Sequence, residues 1–336
     1  MFGTIHVPYT RVWSSIPQKV KRAFESSDRI LFELDLLDPE TESSLFQCQL
    51  LPKGLRVVDV LPNNTYLRIK EHLEYVRQHI ADWMSPNQRV KGIHAEYLYN
   101  ALTSNWERKR PFWILLMINS LTEEDIKMRD IHVLDKFLAL EAQRLKKSTG
   151  AVERVQDQCH PLNQLNSTLV LFALNQALTQ HELIRSRLSR STFNTENLIQ
   201  QYMCGDFSLK MFDTRLASPV ISGQTNREES VTSVSESSLE EEMDKYFQKE
   251  LILKRNLEMG RRIVHLLQEN PNTSFFFAFG AGHFLGNNSI VEYLHHQDID
   301  VVRVSRPKKK KQGSSTTSTT PASRLSRVRP VFMPNL

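Results

Sequence analysis

The sequence predicts an α/β fold that is rich in helix and built around a small central sheet. Two observations carry this expectation. A few apolar runs have strand length, while the long stretches between them repeat their apolar residues with a helical period. Two of the apolar runs leave through the same pattern, Gly-x-x-His, at opposite ends of the globular part: Gly3-Thr-Ile-His6 and Gly280-Ala-Gly-His283. Glycine lets the backbone turn or be closely approached, and a histidine at a strand exit sits above the sheet edge. The repetition suggests duplicated half-sites converging on one centre.

The elements follow in order. Phe2 to His6 reads as the end of a strand. Arg29 to Leu37 is a short apolar run with Glu33 and Asp35 embedded in it, and by length a buried strand. Leu73 to Trp83 and Val90 to Trp106 carry helical periodicity. The run Phe112 to Ile118 is a buried strand or part of a buried helix, which periodicity does not separate. Ile131 to Lys147 places Leu134, Phe137, Leu138 and Leu145 on one helical face and stops near Gly150. Ala151 to Val155 is a brief strand, and Thr168 to Leu188 another helix. Residues 217–240 are rich in Ser, Thr and Glu and read as a flexible insertion. Helical spacing resumes from Glu241 to Gln268. Thr273 to His283 is the strongest strand, Asn288 to His295 a short helix, and Asp300 to Val304 a closing strand. Residues 1–305 thus form one domain, and residues 306–336 a disordered, basic, Ser/Thr-rich tail.

The net charge is +5, but Arg306 to Leu336 holds eight basic residues and no acid, which leaves the body at −3. The fold itself is therefore not expected to bind nucleic acid. The tail reads as a solvated segment, with a juxtamembrane anchor or a nuclear signal as sharper alternatives. The three cysteines, Cys48, Cys159 and Cys204, contain no C-x-x-C pair, which argues against a structural zinc site. If the protein is secreted, Cys159 and Cys204 are the expected disulfide. Four N-x-[ST] sequons begin at Asn63, Asn166, Asn272 and Asn287. No apolar run approaches the roughly 18 residues that cross a bilayer, and no leader is visible, so these residues alone read as cytosolic unless they are part of a longer chain.

The chemistry lies in charge placed within apolar strands. Glu33, between Phe32 and Leu34, costs several kcal/mol to bury unless it is paired, hydrogen-bonded or on a metal. Glu153 sits similarly between Val152 and Arg154. With His6 and His283 these residues supply nitrogen and oxygen ligands without thiolate, a set that suits Mn²⁺, Co²⁺ or Zn²⁺. An ion so held acts as a Lewis acid, and a glutamate not used as ligand serves as general base. The plainer alternatives are a satisfied histidine at a strand end, Glu153 paired with Arg154 or Arg144, and Arg255 balancing charge on its helix. No His-Glu-x-x-His, P-loop, Gly-x-Ser-x-Gly or Rossmann fingerprint occurs.

Gly3-Thr-Ile-His6, Phe32-Glu-Leu-Asp35, Leu134-Asp135, Glu153, Arg255-Asn256 and Gly280-Ala-Gly-His283, in this order, resemble the TraB/PrgY group. Within it the chain is most similar to the Tiki metalloproteases. His6 to Trp13, Asn105 to Pro111, Cys159 to Asn163 and Phe275 to Asn288 carry that closer likeness. The resemblance implies a TraB/ChaN-like fold and a metalloendopeptidase of the cell surface. Its implied action is to cleave the amino-terminal region of Wnt proteins and antagonise Wnt signalling, with manganese or cobalt as cofactor. Carried over, His6, His283 and Glu33 are metal ligands, Glu33 and Glu153 the catalytic carboxylates, and Gly3, Gly280, Arg255 and Asp135 supporting residues. It further implies a glycosylated, single-pass type I membrane protein, anchored through a segment absent from this chain. A non-catalytic Wnt-binding or metal-binding protein of the same fold, and a hydrolase of a non-peptide substrate, are the alternatives.

Overall fold

The computed structural model describes residues 1–186, 195–204 and 234–304. The tail at 306–336 and most of the 217–240 insertion lie outside them. Residues 234–240, expected in the insertion, open a helix instead, Val234–Phe247, whose Met243 and Phe247 are buried in the helical core.

Four parallel strands form one sheet: β1 (Phe2–Thr4), β2 (Arg29–Phe32), β3 (Ser148–Ala151) and β4 (Phe275–Gly280), in the order β1-β4-β2-β3. The central strands are continuous in apolar residues because both faces are covered. Side chains alternate accordingly. Ile30, Phe32, Phe276 and Ala278 enter one core with Phe2, Val20, Phe24, Leu134 and Leu138. Leu31, Phe277 and Phe279 enter the other with Met259, Ile263, Ile290 and Leu294. The first face is closed by helices Gln18–Ser26 and Leu134–Arg144, the second by Lys254–Glu269 and Ile290–His296. Gly260 lets the last two meet, since a Cβ there would stand 2.4 Å from the Tyr293 ring.

A separate helical core joins the long excursion between β2 and β3 to helices that lie between β3 and β4, with Ile69, Leu73, Val76, Ile80, Ile114, Leu115 and Ile118 from the first and Leu174 and Phe247 from the second. The run 112–118 resolves here as helix Pro111–Asn119. Pro111 at its first position pre-sets the backbone, and burial on all sides removes any amphipathic stripe. No described helix is long and apolar enough to cross a membrane.

Four expectations need correction. The third strand is Ser148–Ala151, upstream of the predicted 151–155. Glu33 and Glu153 lie just beyond their strands rather than inside them, although Val152 N–H still donates to Phe32 O and Glu153 N–H to Glu33 O, each at 2.9 Å. Residues 300–304 form no strand; Ile299 and Val301 pack on the second core without joining the sheet. Finally, the disulfide joins Cys48 to Cys159, with Cα atoms 6.2 Å apart, and Cys204 is an exposed thiol. The reason is local. Helices Pro39–Cys48 and Val155–Gln164 pack together after β2 and β3, and Asn163 Nδ2 donates to Cys48 O.

Candidate active site

All four strands are parallel, so their carboxyl ends share one edge of the sheet, the edge at which open α/β folds bind ligands. In the order β1-β4-β2-β3 that edge presents His6, His283, Glu33 and Glu153. The two Gly-x-x-His segments leave adjacent strands, with Gly3 paired to Phe279 and Thr4 to Gly280. Both first glycines stand in tight quarters. A Cβ at Gly3 would lie 3.2 Å from Ala281, and one at Gly280 would lie 3.1 Å from Glu33 Oε1.

Glu33 is the hub. Its Oε1 accepts the Gly280 amide at 2.6 Å and lies 3.5 Å from His283 Nε2. Its Oε2 accepts from Arg255 Nη2 at 2.9 Å and from Gln158 Nε2 at 3.2 Å. Arg255 also grips Glu153 bidentately, Nε to Oε1 at 2.8 Å and Nη2 to Oε2 at 2.6 Å. Gln158 adds a bond to Glu153 Oε2 at 2.9 Å. Glu153 is almost wholly buried, its side chain only 1 % exposed. Arg255 stands just past a π-helical turn, Gln248–Leu253, that continues helix Val234–Phe247 into Lys254–Glu269. Such turns re-aim side chains and recur at functional sites. Gln158 is carried beside Cys159, so the disulfide pins the helix that presents it.

The electrostatics follow from this packing. Burial alone would push Glu33 up, but His283, Arg255, the Gly280 amide and His6 together hold it at about 2. His283 is pushed below its ordinary value by burial, with Glu33 opposing and Arg255 reinforcing. A neutral His283 gives Glu33 no full positive charge, so the permanent guanidinium and the amide N–H are the attractions that persist at neutral pH. The Arg255 cation is stabilised in turn: burial disfavours it, and the bonds to Glu153 and Glu33 outweigh that.

The outer partners of the two histidines differ. His283 Nδ1 lies 2.6 Å from Asn256 Oδ1, while Asn256 Nδ2 donates to Asn288 O at 2.9 Å. His6, at the exposed rim, places Nδ1 3.1 Å from Asp135 Oδ2, and Thr4 Oγ1 donates to Asp135 Oδ1. Tyr202 Oη donates to Gly3 O at 2.6 Å and packs behind this corner.

These residues fit a divalent ion in their donor chemistry. Each imidazole is engaged at Nδ1 by an outer oxygen, which assigns ligation to Nε2, the usual outer-shell arrangement of metal-binding histidines. His283 Nε2 and Glu33 Oε1 stand 3.5 Å apart, close enough that both could serve one ion. Among the described residues no three His, Cys, Asp or Glu side chains close into a cage. The arrangement is an open two-ligand face, with His6 along the same edge.

The family model described as TraB/PrgY/gumN matches residues 1–303. The chain belongs to the TraB/PrgY/gumN family. It is 53 % identical over 303 residues to Metalloprotease TIKI2 of Xenopus tropicalis, covering 90 % of this chain and 57 % of that protein. It is 53 % identical over 302 residues to Metalloprotease TIKI1 of Danio rerio, covering 90 % and 60 %. With Metalloprotease TIKI1 of Homo sapiens it shares 50 % over 323 residues, covering 95 % and 63 %. The chain thus spans about three fifths of the length of these curated relatives. No solved structure matches it.

Of the residues singled out in this TraB/PrgY/gumN chain, Glu33, Glu153, Arg255, Gly280 and His283 form one connected network. His6, Asp135 and Gly3 form a second corner beside it. Asn63, Asn166, Asn272 and Asn287 are exposed and stand apart from the network. Sequence reasoning gave no role to Asn256, Gln158, Thr4 or Tyr202. Asn256 was within reach, since it adjoins Arg255 and shares its motif. Gln158, Thr4 and Tyr202 are polar residues in ordinary settings, and nothing in their spacing distinguishes them.

Proposed function

We propose that this chain carries the catalytic domain of a metal-dependent protease that acts on the amino-terminal region of Wnt proteins and so antagonises Wnt signalling. The observation that carries the metal chemistry is the His283 Nε2–Glu33 Oε1 pair, 3.5 Å apart on the carboxyl edge of the sheet. The naming of the relatives as metalloproteases supports the reaction class. His283 and Glu33 are the proposed ligand pair, His6 on the same sheet edge the proposed third ligand, and manganese or cobalt the proposed ion. When bound, that ion supplies Lewis acidity for attack of water on a peptide carbonyl.

The chain's own residues divide the remaining work. Glu33, anionic throughout the physiological range, presents Oε1 towards His283 while Arg255 and Gln158 fix Oε2. Its low basicity suits ligation better than proton abstraction. Glu153 has both oxygens committed to Arg255 and Gln158, which makes it a positioning residue for the guanidinium. The Cys48–Cys159 disulfide fits an oxidising compartment, and with it the proposed cell-surface location and the four sequons.

The test uses the purified chain, Mn²⁺ and a Wnt protein, with the Wnt amino terminus mapped by mass spectrometry. A shortened terminus that requires both metal and His283 is expected. An intact terminus, or equal cleavage by His283→Ala, overturns the proposal. The competing reading, a non-catalytic protein of this fold, draws on Arg255 bridging both glutamates, and it is favoured if metal binds without cleavage.

A further inference from the structure

We infer that Asn256 is a positioning residue that fixes the tautomer of His283 and thereby keeps the Nε2 lone pair turned towards Glu33. The inference deepens the proposed metal site and rests on that reading for its consequence, though not for its geometry.

The orientation of the Asn256 amide is set from outside. Its Nδ2 donates to the Asn288 carbonyl at 2.9 Å, so its Oδ1 must face His283 Nδ1 at 2.6 Å. An amide oxygen only accepts, so Nδ1 carries the ring proton. The Asn288 carbonyl is itself held. Asn288 has a positive φ of 59°, its N–H donates to the Glu292 carboxylate, and Ser289 caps helix Ile290–His296 by accepting from Glu292 N–H. Asn256 is 1 % exposed and His283 4 %, so water does not compete for the bond between them.

With Nδ1 protonated, a neutral His283 points a lone pair at a carboxylate oxygen 3.5 Å away. Two electron-rich atoms facing each other at that distance repel unless a cation lies between them. The opposite tautomer would relieve the repulsion, because an Nε2–H would donate to Glu33 Oε1. It would also consume both atoms that hold an ion. Asn256 therefore stabilises the less comfortable tautomer in the metal-free protein, and the lone pair is oriented before any ion arrives.

The test reads the tautomer directly by ¹⁵N NMR of the full chain labelled on histidine, without metal, and then Mn²⁺ affinity by calorimetry. Wild type is expected to show His283 as Nδ1–H. Asn256→Leu, which removes the acceptor, is expected to shift His283 to Nε2–H and weaken Mn²⁺ binding roughly ten- to a hundredfold. Asn256→Asp, which keeps an acceptor oxygen in place, is expected to retain Nδ1–H. An Nε2–H signature in wild type overturns the inference, whether or not either variant folds. So does an unchanged tautomer in a folded Asn256→Leu protein. A wild-type Nδ1–H ring in a chain that binds no Mn²⁺ supports the inference and removes the metal reading instead.

Discussion

Arg255→Leu isolates the energetics of the site. The guanidinium is 14 % exposed and bridges Glu153, 1 % exposed, and Glu33, 20 % exposed. Leucine removes the cation and strands two carboxylates. Removing one partner of such a buried pair costs roughly 3–5 kcal/mol. The titration of Glu33 sets how that cost depends on pH. Against the cost of its burial, His283, Arg255, the Gly280 amide and His6 together hold its carboxyl at about 2 in the fold against 4.5 when exposed, so the network around it stabilises the fold at neutral pH. Because its folded pKa is depressed, that contribution is present above 4.5 and is lost as pH falls from there towards 2. In the variant the stranded carboxylates take up protons more readily, so the cost of the substitution shrinks with acid. Urea unfolding followed by tryptophan fluorescence is therefore expected to give a loss of about 3 kcal/mol or more at pH 7 and a clearly smaller one at pH 4. A loss below about 1 kcal/mol at pH 7, or an equal loss at both, would refute the assignment of Arg255 as counterion to both glutamates.

Other consequences are equally direct. Cys48→Ser is expected to destabilise by roughly 2–5 kcal/mol, since the bridge spans 111 residues, whereas Cys204→Ser leaves the unfolding midpoint unchanged; chemical denaturation reads both. Gly280→Ala places a methyl 3.1 Å from Glu33 Oε1, so Mn²⁺ affinity by calorimetry should fall while the fold, by circular dichroism, persists. Gly260→Ala drives a methyl into the Tyr293 ring and should cost roughly 1–3 kcal/mol, with Tyr293→Ala in the same chain recovering part of it. Burial in the helical core lowers His181 to about 4 and holds His72 below its ordinary value, their rings 4.4 Å apart. Both are neutral in the fold, so stability is full above about 6.5 and declines as pH falls towards 4; His181→Phe should flatten that slope in pH-resolved thermal melts.

Much of this architecture was legible because it rests on local pattern. The strand of phenylalanines before Gly280, the charged residues after Phe32 and Val152, and the repeated Gly-x-x-His are sequence signals with a physical reason. What stayed hidden depends on distance in the chain. Cys48 finds Cys159 only because two helices that follow different strands dock together, and spacing carries no trace of that docking. The 112–118 run was ambiguous because a helix buried on all sides has no stripe to declare it, and Pro111 was the one local cue. Ile299 and Val301 imitate a strand because they alternate into a core, yet they find no sheet edge to join. The bond from Asn256 to His283 crosses from the 254–269 helix to the end of β4, so adjacency to Arg255 hinted at relevance without giving a role.

The strand order explains why the two halves of the site differ. Along the sheet edge the groups run His6, His283, Glu33, Glu153, nitrogen donors on one side and carboxylates on the other. Two carboxylates side by side in a buried setting would not both remain ionised without a cation. Arg255 supplies one positive charge against two negative ones, which leaves the cluster of Glu33, Glu153 and Arg255 with one net negative charge. Since Glu153 is held by two bonds from Arg255 and Glu33 by one, the uncompensated charge resides mainly on Glu33. Its Oε1 is the oxygen Arg255 does not touch, and it is the one that faces His283. The guanidinium thus serves as a fixed counterion for one glutamate and leaves the other with a directed surplus of charge. A divalent ion at that oxygen would meet a preoriented ligand pair, and it would not have to displace the arginine.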